Sequence, residues 1–137
     1  MTTIARNAAG QTLDQMIASA TVTELLVAFD NIPAQASETV RRRMRIGISA
    51  ELRRRAEARA AAATDADLIA ELLSHEFVSE DDLLTNMTGV AYQGELERRH
   101  PAAVDLCLDW EVAHEDAELT WFEGVRMLIE AVQGRLS

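Results

Sequence analysis

At 137 residues and 48% hydrophobic content the chain is long enough to bury a core as one domain, and no apolar run reaches the length of a membrane span. A single cysteine, Cys107, excludes an intrachain disulfide framework, and the opening MTTIARNAAGQTLDQ lacks the basic start and apolar centre of a secretory signal, so a cytoplasmic protein is expected. The formal net charge of −10 and pI ≈ 4.7 oppose a general attraction to nucleic acid.

Residues 1–11 read as a flexible tail, and 12–137 as a single helical domain. Thr12 is placed to cap a short helix with Leu13, Met16, Ile17 and Ala20 on one side. Thr21 and Glu24 form a Thr-x-x-Glu capping box that opens a second helix carrying Val22, Leu25, Leu26 and Phe29. Pro33 stops that helix, and a loop runs to about Ser37. Residues 38–63 then read as one long helix. Its apolar positions, Val40, Met44, Ile48, Leu52, Ala56 and Ala60, recur every fourth residue, a helical period that no strand alternation produces. The stripe drifts about 40° per step, because a turn takes ~3.6 residues. Gly47 marks the place for a bend or a close approach. Ala60–Ala63 favour helix but offer little surface to bury, so this end is expected to extend into solvent.

The capping pattern recurs at Thr64/Asp67, at Ser79/Asp82 and at Thr120/Glu123. The first opens a short helix with Leu68, Ile69, Leu72, Leu73 and Phe77 inward. The second opens a helix through Leu83, Leu84, Met87, Val90, Ala91 and Leu96 that stops at His100-Pro101. Pro101 suits the first turn of the next helix, where Ala103, Leu106, Cys107, Trp110 and Ala113 share one side. The last helix carries Val125, Leu128, Ile129, Val132 and Leu136. Trp110, Trp121 and Phe122 are expected to anchor the C-terminal core. The fold class is all-α: a compact bundle of six to seven helices.

Two strings recur in order. TELL (Thr23–Leu26) matches AELL (Ala70–Leu73), and AELRRR (Ala50–Arg55) matches GELERR (Gly94–Arg99); Glu24 to Glu51 is 27 positions and Glu71 to Glu95 is 24. This reads as a repeated short-helix/long-helix hairpin, with the last two helices as a diverged third. The segment GELERRHPA, Trp110 in the following helix and the closing TWFEGVRMLIEAV resemble small helical proteins of GC-rich actinobacteria and their phages. The absence of lysine among the thirteen basic residues fits a GC-rich source. The resemblance covers the C-terminal half; it implies a helical fold and a phage or mobile-element setting, and no active site.

Few constellations point to chemistry. Glu111-x-x-His114 places a carboxylate and an imidazole on one helix face, but a carboxylate-bridged metal bundle needs two such pairs. Glu71 and His75 have the wrong spacing for the second. Asp109, Glu111, Glu115, Asp116 and Glu118, faced by Glu76, Glu80 and Asp81, would be the magnesium site of an all-α hydrolase, yet they read better as a solvated face. His114 suits a helix end, and Cys107 a buried thiol. No nucleophile triad, phosphate loop or zinc spacing is present, so no catalytic residue, metal or cofactor is expected.

The long helix carries eight arginines, at 41, 42, 43, 45, 53, 54, 55 and 59, whereas 65–82 and 105–123 each hold seven acidic residues and no arginine. Either the helix is neutralised by those segments, or it presents a binding surface. Arg41, Arg42, Arg45, Arg53 and Arg59 share a broad arc and are the expected partner-binding residues. The partner expected is another protein or a second copy, with inhibition of a host system as one form such binding would take. Nucleic acid is the alternative, since a basic helix can follow phosphates, although no aromatic residue interleaves the arginines.

Overall fold

The computed structural model describes residues 10–76 and 82–136, and its regular structure is seven α-helices with no strand among the described residues. In order they are α1 (Leu13–Ser19), α2 (Val22–Asp30), α3 (Glu38–Ala62), α4 (Asp65–Leu73), α5 (Leu83–Arg99), α6 (Pro101–Ala113) and α7 (Trp121–Val132). Local chemistry sets the starts. Thr12 with Gln15 and Thr21 with Glu24 form complete capping boxes, each side chain satisfying the other's backbone N–H. Ser37 Oγ accepts from Val40 N at the head of α3. Thr64 and Thr120 accept from Asp67 N and Glu123 N. At α5 the cap is Asp82, which accepts from Thr85 N; the expected cap Ser79 lies outside the described residues, as do Phe77, Glu80, Asp81 and residues 1–9 of the expected tail.

Two compact units divide the chain, Met1–Arg55 and Ala56–Ser137, and the division falls inside α3. In the first, Ile17, Leu25, Ile48 and Leu52 are buried. A Cβ at Gly47 would lie 3.0 Å from Ile17 Cδ1, so this glycine marks a close approach of α1 to α3. The apolar ladder of α3 starts later than its spacing implies. Val40 is exposed and Met44 half-buried, while Ile48, Leu52, Ala56 and Ala60 are buried.

In the second unit α4 packs on α5 and α7, and α6 on α5 and α7. The core gathers Ala60, Leu68, Leu72, Leu96, Val125, Leu128 and Ile129. The expectation of a solvent-exposed end at Ala60–Ala63 is therefore corrected in part: Ala61 and Ala62 are exposed, but Ala60 is buried and Ala63 packs against the core, because a methyl side chain lets helices approach closely even though it buries little area itself. Leu73, expected inward, and Val90 of α5 are exposed. So are Leu106 and Ala113 of α6, where only Ala103 of the expected stripe is buried. Val104, Leu108 and Val112 spread apolar side chains around most of α6 outside the Asp105–Asp109 strip, so periodicity does not single out its buried face. Trp110 does not anchor the core. It is half-buried, and its ring stacks on His114 with centroids 4.0 Å apart. Trp121 does pack against the core and donates Nε1–H to Gln93 Oε1 at 2.8 Å.

One local arrangement, a helix corner held by an arginine, occurs in each unit at the strings that recur in the sequence. In the first, the Arg55 guanidinium donates to the carbonyls of Ile17, Ala18 and Ala20 at the end of α1, just before the Thr21 cap. In the second, Arg99 donates to the carbonyls of Ala60 and Ala61 at the end of α3, just before the Thr64 cap, and to Asp65. Each arginine also meets a glutamate four residues earlier, Glu51 or Glu95, which is shared with Arg54 or Arg98. Leu52 and Leu96, between these groups, are both buried. The corners align Thr21 with Thr64 and Leu25 with Leu68, so the TELL/AELL register is replaced. Thr21 to Glu51 is 30 positions and Thr64 to Glu95 is 31, a closer match than the 27 and 24 between the ELL and ELxRR glutamates.

Candidate protein-binding surface on the arginine helix

The eight arginines of α3 separate by what they touch. Arg54 grips Glu51 with two hydrogen bonds, 2.7 and 2.8 Å, and Arg55 reaches the α1 carbonyls. These two are structural. The Arg54 hydrogen bonds hold the Glu51 carboxyl below the usual glutamate range against its own burial. At the head of the helix, Glu38 is shared by Arg41 at 2.7 Å and Arg45 at 3.2 Å, and Arg43 reaches Asp14 at 3.5 Å. All these carboxylates belong to α1 and α3.

Arg42 and Arg53 are exposed and meet no carboxylate among the described residues. Arg45 is exposed despite Glu38, whereas Arg41 is half-buried. Arg59 is exposed too, but it belongs to the second unit, where it lines a separate concavity of about 570 Å³ with Asp67, Glu71 and Tyr92. The first unit thus holds four of the five expected partner-binding residues, Arg41, Arg42, Arg45 and Arg53.

Sequence reasoning missed the aliphatic part of this surface. Ile46 is 58% exposed and Val40 44% exposed. Ile46 lies one turn after Arg42 and Arg43, and with Thr39, Gly47, Glu38 and Asp14 these residues line an open concavity of about 600 Å³. The apolar ladder runs through Ile48, so Ile46 falls off it; that offset is the signal in the sequence that could have found it.

The other candidate sites are weaker. Glu111, His114 and the carboxylates of Asp109, Glu115, Asp116 and Glu118 are exposed, and no three His, Cys, Asp or Glu side chains among the described residues converge as metal ligands. His114 Nδ1 lies 2.8 Å from the Trp110 carbonyl oxygen, closing the end of α6. His75 is buried beside Trp121 and pairs with Glu71 at 3.5 Å. Cys107 is half-buried; burial first, then Glu111 and Glu97, push its thiol up, which disfavours the nucleophilic thiolate. No helix among the described residues is long and apolar enough to cross a membrane. Compared with known protein families, curated proteins and solved structures, the chain matches none.

Proposed function

We propose that this is a non-enzymatic interaction protein that binds an acidic protein partner through the amino-terminal half of α3. The observation that carries the reading is exposed Ile46 one turn after Arg42 on the same side of α3, with Arg53 two turns further along that side, beyond the helix midpoint, and neither arginine meeting a carboxylate among the described residues. Arginine and apolar side chains together are the composition of protein interfaces. Single-stranded nucleic acid is read by stacking on aromatic residues, and α3 has none. The resemblance of the C-terminal half to actinobacterial and phage helical proteins supports an accessory or regulatory setting.

The test replaces Arg41, Arg42, Arg45 and Arg53 with glutamine. Circular dichroism should show a largely unchanged helical fold, because Arg42, Arg45 and Arg53 are exposed, Arg41 is half-buried, and none of the four is among the buried residues of the ladder. Capture of protein from host lysate on the immobilised chain should weaken, and the difference between wild type and variant should narrow at high salt, where exposed charges are screened beyond about 3 Å at 1 M. Capture that is unaffected by the substitutions would overturn the reading. A mobility shift of DNA or RNA lost in the variant would replace it with the nucleic-acid alternative.

A further inference from the structure

A second surface lies in the other unit. Between α6 and α7 is a groove of about 370 Å³. Trp110, Leu119, Met127 and Leu136 give it apolar walls, and Glu123 and Glu130 stand along it. One cation, Arg126, also borders it, with its guanidinium over the Phe122 ring at 5.8 Å. Leu106, exposed, lies one turn before Trp110 on the same side of α6. Apolar walls with carboxylates beside them suit an aliphatic side chain flanked by cations.

The chain itself carries such a surface. Ile46 stands clear of α3 with Arg42 and Arg43 one turn earlier and Arg45 beside it. We infer that the α6–α7 groove receives the Ile46 face of α3 from a second copy of this chain, with Arg42 and Arg45 meeting Glu123 and Glu130. The inference rests on the reading of α3 as a protein-binding face and names its occupant. Because the two surfaces differ, the contact is heterologous: each copy uses its groove once and its α3 face once, so assembly does not have to stop at two copies. The net charge of −10 opposes it at long range. At physiological salt, however, charges separated by more than about 8 Å are screened, while contacting pairs are damped far less.

Two single substitutions at exposed positions separate the halves of the contact. Ile46→Asp removes the α3 knob and keeps the groove; Leu119→Asp places a charge on the groove wall and keeps the knob. Sedimentation velocity at up to about 100 µM should show wild-type chain associating, and each variant, folded by circular dichroism, associating at least about tenfold more weakly. Mixed, the two variants should form a one-to-one heterodimer and nothing larger, because one intact groove and one intact knob remain. Wild type that stays monomeric, a variant that assembles like wild type, or two monomeric variants that fail to pair would each overturn the inference. If wild type is monomeric while the α3 arginines still govern capture of a different protein, the inference falls and the proposed function stands. If no arginine-dependent capture occurs either, both fall.

Discussion

Eight arginines on one helix invite treatment as a single charged feature, yet Arg53, Arg54 and Arg55 are consecutive and do three different things. The last carbonyls of a helix have no intrahelical donors, and a guanidinium can serve several of them at once because its N–H groups fan out in one plane. Arg55 does this for α1, with its closest contact 2.6 Å from the Ala20 oxygen and only 21% of its side chain exposed. Arg53 is exposed and meets no carboxylate among the described residues. Arg55→Met, which keeps the aliphatic stem, should therefore lower unfolding free energy by about 1.5–3 kcal/mol, the usual worth of hydrogen bonds from a charged donor. Arg53→Met should stay within about 0.5 kcal/mol, as for most surface changes. Urea denaturation of both variants measures the contrast. Equal midpoints would mean that the corner at the end of α1 holds without its arginine.

At the scale of helices, α5 contains a paired test of packing. A Cβ at Gly89 would lie 2.8 Å from Trp121 Cη2, whereas one at Gly94 meets nothing within 4 Å. Alanine favours helix over glycine by about 1 kcal/mol at either site. At Gly94 that gain stands alone, so Gly94→Ala should raise the melting temperature. At Gly89 the rigid indole, tied to Gln93, has to move, and overpacking costs about 1–3 kcal/mol, so Gly89→Ala should lower it. Thermal melts that shift the same way would show that α5 and α7 pack less closely than the structure has them. The sequence holds the number of helices and most of their starts, because a cap is written within four residues: Thr12, Thr21, Thr64 and Thr120 are each read locally. The ladder from Ile48 to Ala60 is legible because it has one period. What is not legible depends on distant partners. Arg55 and Arg99 look like their neighbours until the carbonyls that they reach, at least 35 positions away, are brought alongside. The α6–α7 groove is invisible for the same reason, since it needs two helices in contact; the Ile46 face leaves only the offset of Ile46 from the ladder as its trace, and its exposure is known once the fold fails to cover it. The five proposed arginines were legible as a charge, and which of them lack a carboxylate was not.

For the whole molecule, acid acts in two steps that the charge distribution separates. The net charge of −10 reaches zero near pH 4.7, where the long-range repulsion that limits non-specific association between copies vanishes. The carboxylates that pin the helix corners titrate lower. Arg54 holds Glu51 down, Arg98 holds Glu95 down, and Arg99 followed by His100 hold Asp65 down, so all three sit below the ordinary carboxylate range. A depressed folded-state pKa contributes stability that is fully present above the unfolded-state value, about 4, and is lost as pH falls through the folded-state value. Of the three, Glu51 and Glu95 have side chains only 7% and 10% exposed, so solvent screens them less than Asp65, at 42%. Lowering the pH to about 4.7 should therefore raise light scattering while far-UV circular dichroism stays helical, and helix should be lost only below about pH 4. Glu51→Gln should move that second step to higher pH and leave the first nearly in place, since one carboxylate in a total of twenty-three acidic residues barely shifts the isoelectric point. Helicity that disappears at or above pH 4.7 in a clear solution would show that other carboxylates control acid unfolding and that the two corners are not what fails first.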